Sequence, residues 1–155
     1  MTKNTRIPMR SASQGFSLIE VLVALLVLAF GMLGFALLQT MNLRYTQSAN
    51  YRTVATNLSY DLLDQMRANR LSAIDYTGAT FSAGAVSIGT GCTRPTSTVA
   101  VAQSIARWQC QVVDALGENS SATVTFVGNV ANVTITWGER LSNDPNTSFS
   151  VETRL

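Results

Sequence analysis

Hydrophobic and polar positions along the chain fall into four successive patterns. Val21 to Leu38 is 18 residues without a charge, and the 23 residues from Phe16 to Leu38 contain only one, Glu20. Roughly 20 apolar residues in a helix cross a bilayer core, so this run predicts a membrane span. Residues 39–71 contain no proline or glycine and keep a helical period, with Tyr51, Val54, Ala55, Leu58, Leu62 and Met66 on one stripe. The pattern predicts a single helix from Phe16 to about Leu71, apolar all round at first and amphipathic afterwards. Gly78, Gly84, Gly89, Gly91 and Pro95, among many serines and threonines, predict a loop from Tyr76 to Thr98 with at most one short strand.

The last pattern mixes both periods. Residues 98–116 read as a helix, with Val101, Ile105, Trp108 and Val112 on one stripe and Gly117 as its stop. Trp108 in that stripe reads as a core anchor, not a ligand platform. Strands are predicted at Ala122–Val127, Val130–Trp137 and Thr147–Thr153. Gly128-Asn129 makes a two-residue hairpin between the first two, and the Asn143-Asp144-Pro145-Asn146 turn leads into the third. Alternation places Val133, Ile135 and Trp137 on one face, toward the long helix. The fold class is α+β, with a long N-terminal helix packed on a small antiparallel sheet plus one short helix. The organisation expected is a leader (1–15), a membrane half (16–38) and an amphipathic half (39–71) of the long helix, then a globular head (72–155).

Charge fixes an orientation for the span. Lys3, Arg6 and Arg10 precede it with no acidic residue among them. Without residues 1–15 the chain carries 8 basic and 9 acidic side chains, a formal charge of −1 against +2 for the whole. The basicity therefore belongs to the leader. Only Arg44 follows soon after the run, which places the N-terminus in the cytoplasm and the head outside. Beyond Arg67 and Arg70 the head has no basic cluster, so nucleic acid is not expected as a partner. Cys92 and Cys110 are the only cysteines. An oxidising compartment favours a bridge between them, and two buried free thiols are the alternative. Two cysteines and no histidine argue against a structural zinc site.

Gly15 and Glu20 remain to be explained. A cleaved signal peptide needs a short apolar core and a small-residue cut site, whereas here Gly34-Phe35-Ala36 lies inside the run. An uncut signal anchor explains the span but neither Gly15 nor Glu20. The stretch Gly15-Phe16-Ser17-Leu18-Ile19-Glu20 closely resembles the processing site of type IV prepilins and type II secretion pseudopilins. The resemblance implies a cut between Gly15 and Phe16 by an aspartic prepilin peptidase and N-methylation of Phe16. It also implies that Glu20 pairs with the terminal amine of a neighbouring subunit during assembly. Glycine suits such a site because it lets the backbone extend into a cleft. Glu20 lies one helical turn from Phe16, and a carboxylate at the edge of a span calls for a partner.

The segment "NLSYDLLDQMRANR" (57–70), after "EVLVALLVLAFGMLGFALLQ", resembles minor pilins of the PilV type (type IV pilus modification proteins), as does "VTITWGER" near the C-terminus. The fold implied is pilin-like. The partners implied are prepilin peptidase, other minor pilins, the major pilin and the inner membrane, with the head periplasmic. Many major pilins carry a proline deeper in the helix, and residues 21–70 here have none. Gly31 and Gly34 are a weak sign of close helix packing. Asp64 and Arg67 are spaced to pair on a solvated helix face. With no histidine, no phosphate-cradling glycine loop and no nucleophile motif, the chain is expected to be non-enzymatic, with no cofactor and no small-molecule substrate. A pseudopilin of type II secretion, a tip adhesin and a DNA-uptake pilin are the alternatives.

Overall fold

In the computed structural model, residues 15–88, 92, 100–138 and 146–155 are described. The leader with Lys3, Arg6 and Arg10, most of the 89–99 stretch, and Asn143-Asp144-Pro145 of the expected turn lie outside the described residues. The element order is α1 (Leu18–Ala68), a 3-10 helix (Arg70–Ala79), α2 (Val101–Leu116), β1 (Ser121–Val127), β2 (Val130–Trp137) and β3 (Thr147–Arg154). This is the α+β layout of pilins: one long helix, shorter helices, and a three-stranded antiparallel sheet in the order β1-β2-β3. The chain divides into two compact units, one ending at Met41 and one running from Asn42 to Leu155.

The first unit holds the apolar part of α1. Every large apolar side chain from Phe16 to Leu43 is 45–83% exposed. A core helix of a water-soluble domain would hide such a stripe, whereas this one hides none of it.

The second unit owns the core. Ala55, Leu62, Leu63 and Met66 of α1 are buried with Trp108, Val112 and Val113 of α2 and with Ala131, Val133, Ile135 and Trp137 of β2. Tyr51, Val54 and Leu58 pack against that cluster. Ser59 is fully buried on the same stripe because its hydroxyl donates to the Ala55 carbonyl at 2.8 Å. That bond satisfies a polar group that would otherwise be costly inside. Trp108 is the keystone of the contact between the two helices. Its ring is fully buried and its Nε1–H donates to the Leu58 carbonyl at 2.8 Å.

Two expectations change. The long helix runs from Leu18 to Ala68, not from Phe16 to about Leu71, and the region from Tyr76 is not loop at once. Arg70–Ala79 forms 3-10 turns with a kink at Ser72 (φ −110°, ψ 18°), burying Ala73, Tyr76 and Ala79. Those positions recur every three residues, the period of a 3-10 helix. The short strand foreseen in the loop is a single bridge, Phe81 to Ala122. The hairpin forms as expected: Gly128 (φ 59°) and Asn129 (φ 64°) both take the left-handed conformation of a type I′ turn. Gly117 (φ 96°) closes α2, its N–H bonding the Val113 carbonyl.

Cys92 and Cys110 form a disulfide, with Cα atoms 5.3 Å apart. It fastens the chain before α2 to a side chain of α2 that is 1% exposed. A loop of this length contributes about 3 kcal/mol by restricting the unfolded chain. Reduction, or Cys92→Ser, is expected to lower the melting temperature of the head measurably; an unchanged melt would show that the bridge adds no stability.

Candidate processing and assembly site

The first turn of α1 gathers the residues singled out at the N-terminus. Gly15, Phe16 and Ser17 are non-helical, and the helix opens at Leu18. The Ser17 carbonyl accepts the N–H of Glu20 at 3.0 Å and of Val21 at 3.3 Å, so Ser17 is the residue on which the helix starts. The Gly15–Phe16 peptide therefore stands just outside the helix. A Cβ built on Gly15 meets nothing within 4 Å, and its φ lies outside the left-handed region. Among the described residues nothing demands glycine at that position.

Phe16 is 83% exposed. Glu20 is exposed and makes no ion pair among the described residues. It lies one helical turn from Phe16.

Reading for motifs alone missed Ser17. Ser17-Leu18-Ile19-Glu20 has the S-x-x-E spacing of a capping box, with Phe16 and Val21 at the two staple positions that flank it. The signal was present in the sequence, though overshadowed by the apolar run that follows.

Residues 10–36 match the family model of the prokaryotic N-terminal methylation motif. The chain carries a prepilin-type signal. Its matched residues cover Gly15, Phe16, Glu20 and most of the apolar run, and stop within the first unit. The same run contains the one described stretch long and apolar enough to cross a membrane. No curated protein and no solved structure matches the chain.

The head carries two further polar features. Arg67 Nη1 holds Asp64 Oδ1 at 2.9 Å, as its spacing foretold, and Arg67 Nη2 also donates to Thr153 Oγ1 at 2.7 Å. The guanidinium thus ties α1 to β3. The Asp64–Arg67 pair itself is well exposed and adds only a few tenths of a kcal/mol. A groove of about 560 Å³ between α1 and α2 is lined by Asp61, Gln65, Asn69, Tyr76 and Arg107, among others. Asp61 accepts Gln65 Nε2 there at 2.9 Å, and Asn69 donates to the Tyr76 hydroxyl at 3.0 Å.

Proposed function

We propose that this protein is a minor pilin of the PilV type, a non-catalytic subunit that takes part in priming and assembly of type IV pili. The observation that carries this reading is the methylation motif on residues 10–36 joined to a helix whose apolar half stays wholly exposed. Prepilin peptidase cuts between Gly15 and Phe16 on the cytoplasmic side and methylates the Phe16 amine. The anchor stays on the mature protein because the cut precedes it. The protein then waits in the bacterial inner membrane with its head in the periplasm. From there it joins other minor pilins and the major pilin, and is carried at the pilus tip.

Assembly moves an apolar helix from lipid into a helical bundle, so the hydrophobic gain is small. Shape and charge must then set order and register. The Glu20 carboxylate neutralises the terminal amine of a neighbouring subunit, a pair worth most where water is scarce.

Glu20→Leu leaves membrane insertion intact and strands the neighbour's amine. Removing one partner of such a pair costs roughly 3–5 kcal/mol, above about a hundredfold in occupancy. Immunoblots of sheared pili should therefore lose the variant while membranes retain it. Wild-type incorporation would remove Glu20 from this role. Deletion of the gene separates the two systems that share the signal. Loss of pili and twitching supports the pilus assignment, and loss of protein secretion points to a type II secretion pseudopilin.

A further inference from the structure

The groove between α1 and α2 has walls of opposite hydrogen-bonding character. On one side, Asp61 and Gln65 lie four residues apart on α1, and Asn69 continues the row past its end. Donors on this wall are spent within it. Gln65 Nε2 donates to Asp61 Oδ2 at 2.9 Å. Asn69 Nδ2 donates to the Gln65 carbonyl at 3.2 Å and to the Tyr76 hydroxyl at 3.0 Å. Acceptors are what remain. Gln65 Oε1 is shut off from solvent and has no donor among the described residues. Asp61 carries its charge without a cationic partner among them.

The opposite wall belongs to a cation. Arg107 of α2 is half-buried in the groove, with Gln111 one helical turn further on. Its guanidinium makes no hydrogen bond or ion pair among the described residues. Arg67, by contrast, spends its donors on Asp64 and Thr153. Asp61 and Arg107 line one groove and yet stand beyond ion-pair reach of each other. Between them the lining turns apolar at Leu58 and Ala68.

We propose that this groove binds a small zwitterion, an α-amino acid with an apolar side chain, as a ligand that is held and not turned over. The ligand's carboxylate meets the fork of Arg107, which matches two oxygens at once. Its ammonium meets Asp61 and, after a turn of the amide about its soft last torsion, Gln65 Oε1. The apolar side chain lies toward Leu58 and Ala68. A volume of about 560 Å³ falls within the roughly 300–1,000 Å³ of small-molecule sites. A lone anion would leave the acceptors of α1 unmet, and a lone cation would leave Arg107 unmet. The groove lies wholly within the second unit and stands whether or not processing occurs as proposed above.

The test titrates the nitrogen-labelled full chain, in detergent micelles, with leucine. The Nε–H signal of Arg107 and the side-chain amide signals of Gln65 report binding, and both are expected to shift saturably. N-acetyl-leucine lacks the ammonium and leucinamide lacks the carboxylate, so each should bind at least about tenfold more weakly. Arg107→Gln and Asp61→Asn should each cost a similar factor while the head melts normally. If Asp61→Asn melts early through its bond to Gln65, Arg107→Gln carries the test, since it breaks no hydrogen bond or ion pair among the described residues. Asp114→Asn, exposed elsewhere on α2, should bind leucine like the wild type. No saturable shift with leucine, equal binding of either blocked analogue, or full affinity in Arg107→Gln would overturn the proposal. So would tighter binding of a neutral sugar such as glucose, which would make the groove a polyol site.

Discussion

Gly15→Val should yield a single longer species, uncut and unmethylated, in cells that process the wild-type chain to completion. Among the described residues a Cβ at Gly15 meets nothing within 4 Å, and the backbone there needs no left-handed conformation. The substitution is therefore expected to leave the described fold intact, so a failure of processing reports the fit in a peptidase cleft. A β-branched side chain beside the scissile bond blocks close approach of the backbone, which glycine permits. The precursor keeps its three leader cations, Lys3, Arg6 and Arg10, ahead of the span. No free amine arises at Phe16, so Glu20 of a neighbour has nothing to pair with, and incorporation into pili fails together with cleavage. Immunoblot mobility and N-terminal mass report the two effects separately. Normal maturation of Gly15→Val would place the cut elsewhere.

Trp108→Ala is the largest expected loss of stability in the head. The ring is fully buried among α1, the 3-10 helix and α2, and truncation of a buried tryptophan costs about 3–5 kcal/mol. Typical domains are stable by only about 5–15 kcal/mol, so roughly a fifth or more of the total disappears. For a unit of this size the melt should fall by roughly 12 °C or more. Trp108→Phe retains most of the packing and loses the donor to the Leu58 carbonyl, so its cost should stay near about 1–2 kcal/mol. Trp137, buried on β2, remains as the fluorescent reporter in both variants. A drop below about 1 kcal/mol for Trp108→Ala would mean that α2 is not anchored through this residue.

Periodic elements were legible because they bury one face. The stripe from Tyr51 to Met66, the Trp108 stripe and the alternation from Val133 to Trp137 all landed on the core. Gly128-Asn129 was legible because a type I′ turn requires two left-handed residues in succession. The 3-10 segment escaped because its buried set, Ala73, Tyr76 and Ala79, is sparse and follows a period of three amid serine, threonine and glycine. Leu63 and Ser59 escaped because α1 is covered on a face wider than one stripe, and because Ser59 hides its hydroxyl on its own helix. The bridge of Phe81 to Ala122 joins positions 41 residues apart, for which no local pattern speaks. At the candidate site, Gly15, Phe16 and Glu20 stood out by residue type. Ser17 did not, since its part is to start a helix, and only the hydrogen bonds to its carbonyl reveal it.

The direct measurement of the central claim is the intact mass and N-terminal sequence of the protein purified from its native membrane. The account predicts a chain that begins at N-methylated phenylalanine, residue 16, with the apolar helix still attached. A mature protein that retains its leader, begins at any other residue, or carries an unmethylated terminus would contradict it.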